Sequence, residues 1–122
     1  MKTSVMFHCG NAPKMERVID LTIALAKRDF GAVKPHVRED FVWKTVGSVE
    51  TISYDELNEK LAKRPEVRLL TIDNALSHGN GAMCEGEIVF TDGDALYFCM
   101  VVEFVNTAKD ALVKSARAYF VK

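Results

Sequence analysis

Three turn signals constrain this chain more than any other feature of its sequence. Gly79-Asn80-Gly81, Asp92-Gly93 and the polar run from Asn106 to Asp110 separate four segments, 67–76, 82–91, 95–105 and 112–121, each rich in β-branched and aromatic residues. Asn-Gly and Asp-Gly supply the positive backbone dihedrals that a tight hairpin demands, and their twist matches that of the strands they join. The four segments therefore predict an antiparallel meander.

The preceding half of the chain reads differently. Residues 1–10 show no clear period and are expected to form a loose arm. Asn11-Ala12-Pro13 signals a helix start, because proline lacks an N–H that the first turn leaves unpaired anyway. Met15, Val18, Ile19, Thr22, Ile23 and Ala26 then recur at helical spacing, and Lys14, Arg17, Asp20, Lys27 and Arg28 fall on the other side. Asp29 suits the N-cap of a short second helix from Phe30, which Pro35 should split and Arg38-Glu39-Asp40 should end. Phe41 to Val46 reads as a strand with Phe41 and Trp43 on one face, closed by Gly47-Ser48. Ser53 and Glu56 match a capping box for a third helix carrying Leu57 and Leu61, stopped at Arg64-Pro65. Helices grouped before hairpins argue for an α+β domain, with three N-terminal helices packed on a curved, mostly antiparallel sheet.

Composition narrows the function classes. The chain has 122 residues, 48% of them apolar, and a formal charge of −1. That length suits one domain over 1–122, and the charge lacks the basic footprint of a nucleic-acid binder. No apolar run approaches the roughly 20 residues of a membrane helix, and the start lacks the apolar core of a secretory signal. Cys9, Cys84 and Cys99 have neither disulfide-framework nor zinc-site spacing, so buried thiols in a reducing cytoplasm are expected. His8, His36 and His78 lack metal-ligand spacing, and no metal or cofactor is predicted. His36 and His78 are expected at the surface.

Strand alternation sorts the remaining side chains. Cys84, Gly86, Ile88 and Phe90 share one face, with Glu85 and Glu87 opposite. On the next strand Leu96, Phe98, Met100, Val102 and Phe104 share a face, and Tyr97, Cys99, Val101 and Glu103 the other. Both faces of that strand are largely apolar, as in strands covered on both sides. Since the helices cover only one, a homodimer through the open sheet face is predicted.

The order of elements resembles the NTF2-like superfamily, and within it the SnoaL-like polyketide cyclase and ketosteroid isomerase-type domains. Met15 to Asp29 followed by Phe30-Gly31-Ala32-Val33 is similar to the family's first helix and its turn into the second. Arg38-Glu39-Asp40-Phe41-Val42-Trp43 is similar to its acidic turn and aromatic strand, Val102-Glu103-Phe104 to its penultimate strand, and Ala116-Arg117-Ala118-Tyr119-Phe120 to its closing strand. The resemblance spans about residues 13–121 and implies a cystatin-like cone around the long first helix, often dimeric, with a pocket at its open end. It implies no single activity, since members include isomerases, cyclases, dehydratases, epoxide hydrolases and non-catalytic binding or assembly modules.

Ketosteroid isomerase-type chemistry needs a carboxylate base and donors to the enolate oxygen, including a tyrosine that the resemblance puts on the first helix. That helix has no tyrosine, and Met100 stands where SnoaL-like cyclases tend to carry an acid. The arginine set between acids that epoxide hydrolases of this fold use is not legible. The expected pocket is therefore Trp43, Phe98, Met100, Phe104 and Tyr119, binding a small apolar molecule. The alternatives are a cofactor-free isomerase, cyclase or dehydratase using Glu85, Glu103 or Tyr119, and a dimerising assembly module. A carboxylate inside the cone would separate the enzyme from the binding protein.

Overall fold

A computed structural model describes residues 1–6 and 12–122. His8, Cys9 and the Asn11 of the helix-start signal lie outside the described residues. The helix begins at Pro13 as expected: α1 is Pro13–Lys27, with proline in its first turn. It ends at Arg28, a left-handed residue at φ 57° whose N–H closes back on Ala24 and Leu25 carbonyls. The Asp29 side chain accepts from the Ala32 N–H at 3.2 Å and caps α2, Phe30–Val33. Pro35 splits the segment as anticipated, continuing it as a single 3₁₀ turn over Lys34–His36. Ser53 and Glu56 complete the reciprocal capping box of α3, Tyr54–Lys63.

The hairpin signals produce the predicted meander: β4 (Val67–His78), β5 (Gly81–Phe90), β6 (Ala95–Phe104) and β7 (Val113–Val121) are antiparallel neighbours. Three further strands complete a seven-stranded sheet, β1 (Lys2–Val5), β2 (Val37–Thr45) and β3 (Thr51–Ser53), in the order β1-β4-β5-β6-β7-β2-β3. The β1–β4 and β2–β7 pairs are parallel. Two sequence expectations are corrected here. The first residues are an edge strand, because Lys2 to Val5 find unpaired groups on the outer side of β4. Arg38-Glu39-Asp40 belongs to β2 rather than to a helix end, because the backbone turns extended at Val37 (φ −116°, ψ 149°) and β2 runs from there alongside β7.

The helices lie on one face of the sheet, α1 across β4 and β5 and α3 against β2 and β3. Register shifts bend the sheet around α1. In β4 they fall between Val67 and Leu69 and between Ile72 and Asn74, and a further one separates Val37 from Val42 in β2. An extra residue on one strand increases its bend and twist. The core joins Val18, Ile19 and Leu21 of α1 to Phe41, Leu70 and Ile72 of the sheet. Lys14 departs from its expected solvent placement. It is buried, its ammonium donates to the Ala108 carbonyl and lies 5.4 Å from the Phe104 ring centre.

Candidate functional site

Strand alternation holds as read from the sequence. Cys84, Gly86, Ile88 and Phe90 of β5, and Phe98, Met100, Val102 and Phe104 of β6, all face α1 and are buried. Across the β6–β7 ladder Met100 meets Ala118 and Val102 meets Ala116, so large residues on one strand are accommodated by small ones on the next.

Two adjacent spaces open beside these residues. The inner one, about 40 Å³, is lined by Thr22, Leu25, Ala26, Trp43, Leu61, Arg64, Leu70, Ile88, Phe98 and Met100. It has room for a few water-sized groups. The outer one, about 170 Å³, is a vestibule where β2, the turn after it, α3 and Phe120 meet. Trp43, Leu61 and Arg64 line both. Trp43 donates from its indole N–H to Thr45 Oγ1 at 3.1 Å, which fixes the ring's orientation. Glu50 is the one acid among the vestibule's lining residues, and it is exposed.

Arg64, which the sequence marks only as a helix stop, lines both spaces. It continues the apolar stripe of α3, following Leu57 and Leu61 at helical spacing, so an arginine arrives where a core residue is due. Pro65 holds it in extended geometry at φ −88°, ψ 162°. Its guanidinium stacks 5.8 Å from the Phe90 ring centre, and its buried Nε has no hydrogen-bond partner. Burial, and secondarily the nearby Arg28, pull its pKa below the usual guanidinium value. Arg28 reaches the same place from α1, donating to the Ala62 and Arg64 carbonyls at 3.3 and 3.2 Å and pairing with Glu66 at 3.2 Å.

Thr22 and Cys84 are polar groups buried between α1 and the sheet. The Thr22 hydroxyl donates to the Val18 carbonyl at 2.8 Å and lies 3.1 Å from Cys84 Sγ. Desolvation raises the Cys84 thiol to about 11, against the opposing pull of the Thr22 hydrogen bond. A thiol so buried is a packing group, not a nucleophile.

The predicted site residues divide accordingly. Trp43, Phe98 and Met100 come together around the inner space. Phe104 is fully buried but packs beneath Lys14 and lines neither space. Tyr119 is corrected: it pairs with Cys99 on the outer face and is 41% exposed, because Ala118 takes the inward position beside it. Glu85 and Glu103 also stand on the outer face. Glu85 is exposed, with the Asn74 amide 3.5 Å away. Glu103 receives a hydrogen bond from the Lys114 ammonium at 2.7 Å, which holds its carboxyl below the usual range. Cys99, expected in the core, is half-buried on that face, and His36 is half-buried beside Arg17. His78 is exposed, as expected. Among the described residues no cluster of His, Cys, Asp or Glu could hold a metal ion, and no helix is long and apolar enough to cross a membrane.

A larger groove of about 530 Å³ runs along β2 and the start of α3. Its Arg38 and Asp40 are already paired with each other, so neither charge awaits a ligand.

No family profile and no curated protein matches the sequence. Solved structures match in fold. An NTF2-like protein of unknown function from Burkholderia xenovorans LB400 aligns over 90% of this chain and 84% of its own, at 20% identity and a TM-score of 0.75. A Kribbella flavida DSM 17836 protein provisionally named a ketosteroid isomerase aligns over 90% and 78%, at 16% identity and a TM-score of 0.75. An M. tuberculosis LEH-like epoxide hydrolase aligns over 89% and 83%, at 19% identity and a TM-score of 0.69. The fold is therefore NTF2-like, as the order of elements implied.

Proposed function

We propose that this chain binds a small, largely apolar molecule at the mouth of its cone without transforming it by acid–base chemistry. The observation that carries this reading is the pair of adjacent spaces sharing Trp43, Leu61 and Arg64, whose inner lining contains no carboxylate. A concave, mostly apolar space with a few convergent polar groups is the usual form of a small-molecule site. Isomerase and epoxide hydrolase names among structures of this fold give the enzyme alternative its precedent. Its candidate acids Glu85 and Glu103 lie on the far side of the sheet, out of reach of anything in the cone.

Trp43 is the sole tryptophan, so its fluorescence reports on the site. Titration with 2-phenylethanol should shift its emission saturably, and Ile52→Phe, which intrudes on the vestibule, should weaken that binding. An emission that responds in neither protein would refute the reading.

The outer face supports a second reading, a homodimer. Leu76, Tyr97, Tyr119 and Val121 are 57%, 58%, 41% and 63% exposed on that one face. Acidic Glu85 and Glu87 on β5 and basic Arg117 and Lys44 on β7 and β2 offer complementary charge for a two-fold partner. Light scattering coupled to size exclusion should give twice the 13.6 kDa chain mass. A monomer at micromolar concentration would overturn the dimer, and a dimer with an unresponsive Trp43 would favour an assembly module. The free thiols of Cys84 and Cys99 suit a cytoplasmic, reducing setting for either form.

A further inference from the structure

We infer that the molecule bound at the cone mouth is an anion, a monocarboxylate with a compact apolar body, whose carboxylate is held by Arg64. This rests on the binding reading above and specifies its ligand. Arg64 presents five N–H donors in a rigid fork, and a carboxylate offers two oxygens at matching spacing. Among the described residues no carboxylate pairs with it and no hydrogen bond uses its side chain. The Phe90 ring satisfies the face of the guanidinium but none of its donors. Arg64 is half-buried, and its Nε is buried without a partner, so an anion that reaches the guanidinium supplies an acceptor the fold does not.

The surroundings favour the same sign of charge. Arg28 and Lys60 add positive charge near Arg64, whereas Glu66 is already paired with Arg28. Glu50, exposed at the vestibule rim, is the opposing acid and is screened by solvent. Geometry then places the rest of the ligand. Arg64 lines both spaces, so a carboxylate on its guanidinium leaves the attached body against Trp43 and Leu61, with Ile52, Leu57 and Phe120 closing the vestibule. An outer volume of about 170 Å³ suits a single ring or short branched chain, not a long acyl tail.

The test compares two probes of the same body, phenylacetate and 2-phenylethanol, by Trp43 fluorescence of the intact chain at neutral pH, with acetate as the anion lacking a body. Phenylacetate should bind at least about tenfold more tightly than 2-phenylethanol, the scale of one charge-assisted pair, and acetate should not bind measurably. Arg64→Gln should abolish that preference, bringing the two affinities together, and Arg64→Lys should restore part of it. Equal affinities in the native chain, or a preference that survives Arg64→Gln, would overturn the inference and leave the apolar pocket standing. A Trp43 signal blind to both probes would overturn the pocket and this inference together. The native-chain ratio decides the matter even where Arg64→Gln does not fold.

Discussion

Gly86→Ala tests whether the cone's curvature depends on one close approach. A methyl at Gly86 would stand 1.7 Å from the Thr71 carbonyl oxygen, 2.7 Å from its carbon and 3.0 Å from Ile72 Cα. All three atoms are backbone of the neighbouring strand, so no rotamer relieves the clash. Ordinary contact requires about 3.5 Å, so β4 and β5 would have to part by well over an ångström at a spacing of roughly 4.8 Å. Separation there loses about two ladder hydrogen bonds at about 1 kcal/mol each. It also misfits Leu70, Ile88 and Phe98, the register neighbours that line the inner space, at roughly 1–3 kcal/mol. The expected loss is about 3–5 kcal/mol, a large share of a typical domain's stability. For a chain of this size that corresponds to a fall in Tm of roughly 10–30 °C. Urea denaturation with an unchanged m-value, together with thermal melts, measures it. Gly31→Ala is the matched control, since its methyl would meet only the Asp29 carboxylate at 3.7 Å. It should be neutral or slightly stabilising through helix propensity. A Gly86→Ala chain within about 1 kcal/mol of the native one would refute the argument that backbone approach at this point shapes the cone.

Lys14→Met should cost about 1–3 kcal/mol, because it keeps the aliphatic stem but removes the charged donor to the Ala108 carbonyl and the contact with Phe104. Denaturation midpoints measure this, and hydrogen exchange should quicken around residues 106–110. His36 is held below its usual 6.5 by burial first and by Arg17 second, with Asp20 opposing them weakly. The unfolded chain therefore binds more protons between the folded value and 6.5, so the His36 contribution is whole above 6.5 and is lost as pH falls toward the folded value. His36→Gln should flatten that part of the stability–pH curve, and an imidazole titrating at or above 6.5 by NMR would contradict the burial argument.

The meander was readable because its information is local. Asn80-Gly81 and Asp92-Gly93 determine their turns from neighbouring residues alone, and the strands they join follow within a residue or two. The elements that escaped notice depend on distant partners. Lys2–Val5 becomes a strand only by lying parallel to β4, and Thr51–Ser53 is three residues held by β2. Neither is long enough to carry a period of its own. Arg38-Glu39-Asp40 looks like a helix end because all three are charged, yet as part of β2 they are exposed while Val37 and Phe41 on either side turn inward.

The site shows the same division. Alternation alone placed Phe98 and Met100 inside, and Trp43 joined them from the strand face shared with Phe41. It did not place Tyr119, whose facing depends on its register against Cys99, and the small inward residues Ala116 and Ala118 are easily mistaken for a polar face's gaps. Arg64 was visible in principle as the next position of the Leu57–Leu61 stripe. A charge at a helix end is ordinarily a solvated one, and only burial distinguishes this guanidinium from the rest.

Strand parity also bears on the enzyme alternative with a magnitude. Bringing Glu103 into the cone would require β6 to slip by one residue, and such a slip turns every side chain of a strand to the opposite face. Phe98, Met100, Val102 and Phe104, all now buried, would leave the core together. Tyr97, Cys99, Val101 and Glu103 would take their places, a set that misfits the core and buries an acid, at a cost on the order of several kcal/mol, a large share of a domain's stability. The Lys114 hydrogen bond that depresses the Glu103 pKa opposes the slip as well, since a carboxylate stabilised in its charged form resists transfer into an apolar interior. No thermal fluctuation of the native sheet can therefore present Glu103 to a ligand in the cone. The inner space has no carboxylate in its own lining, so one found there would have to arrive with a ligand, as the Arg64 proposal requires.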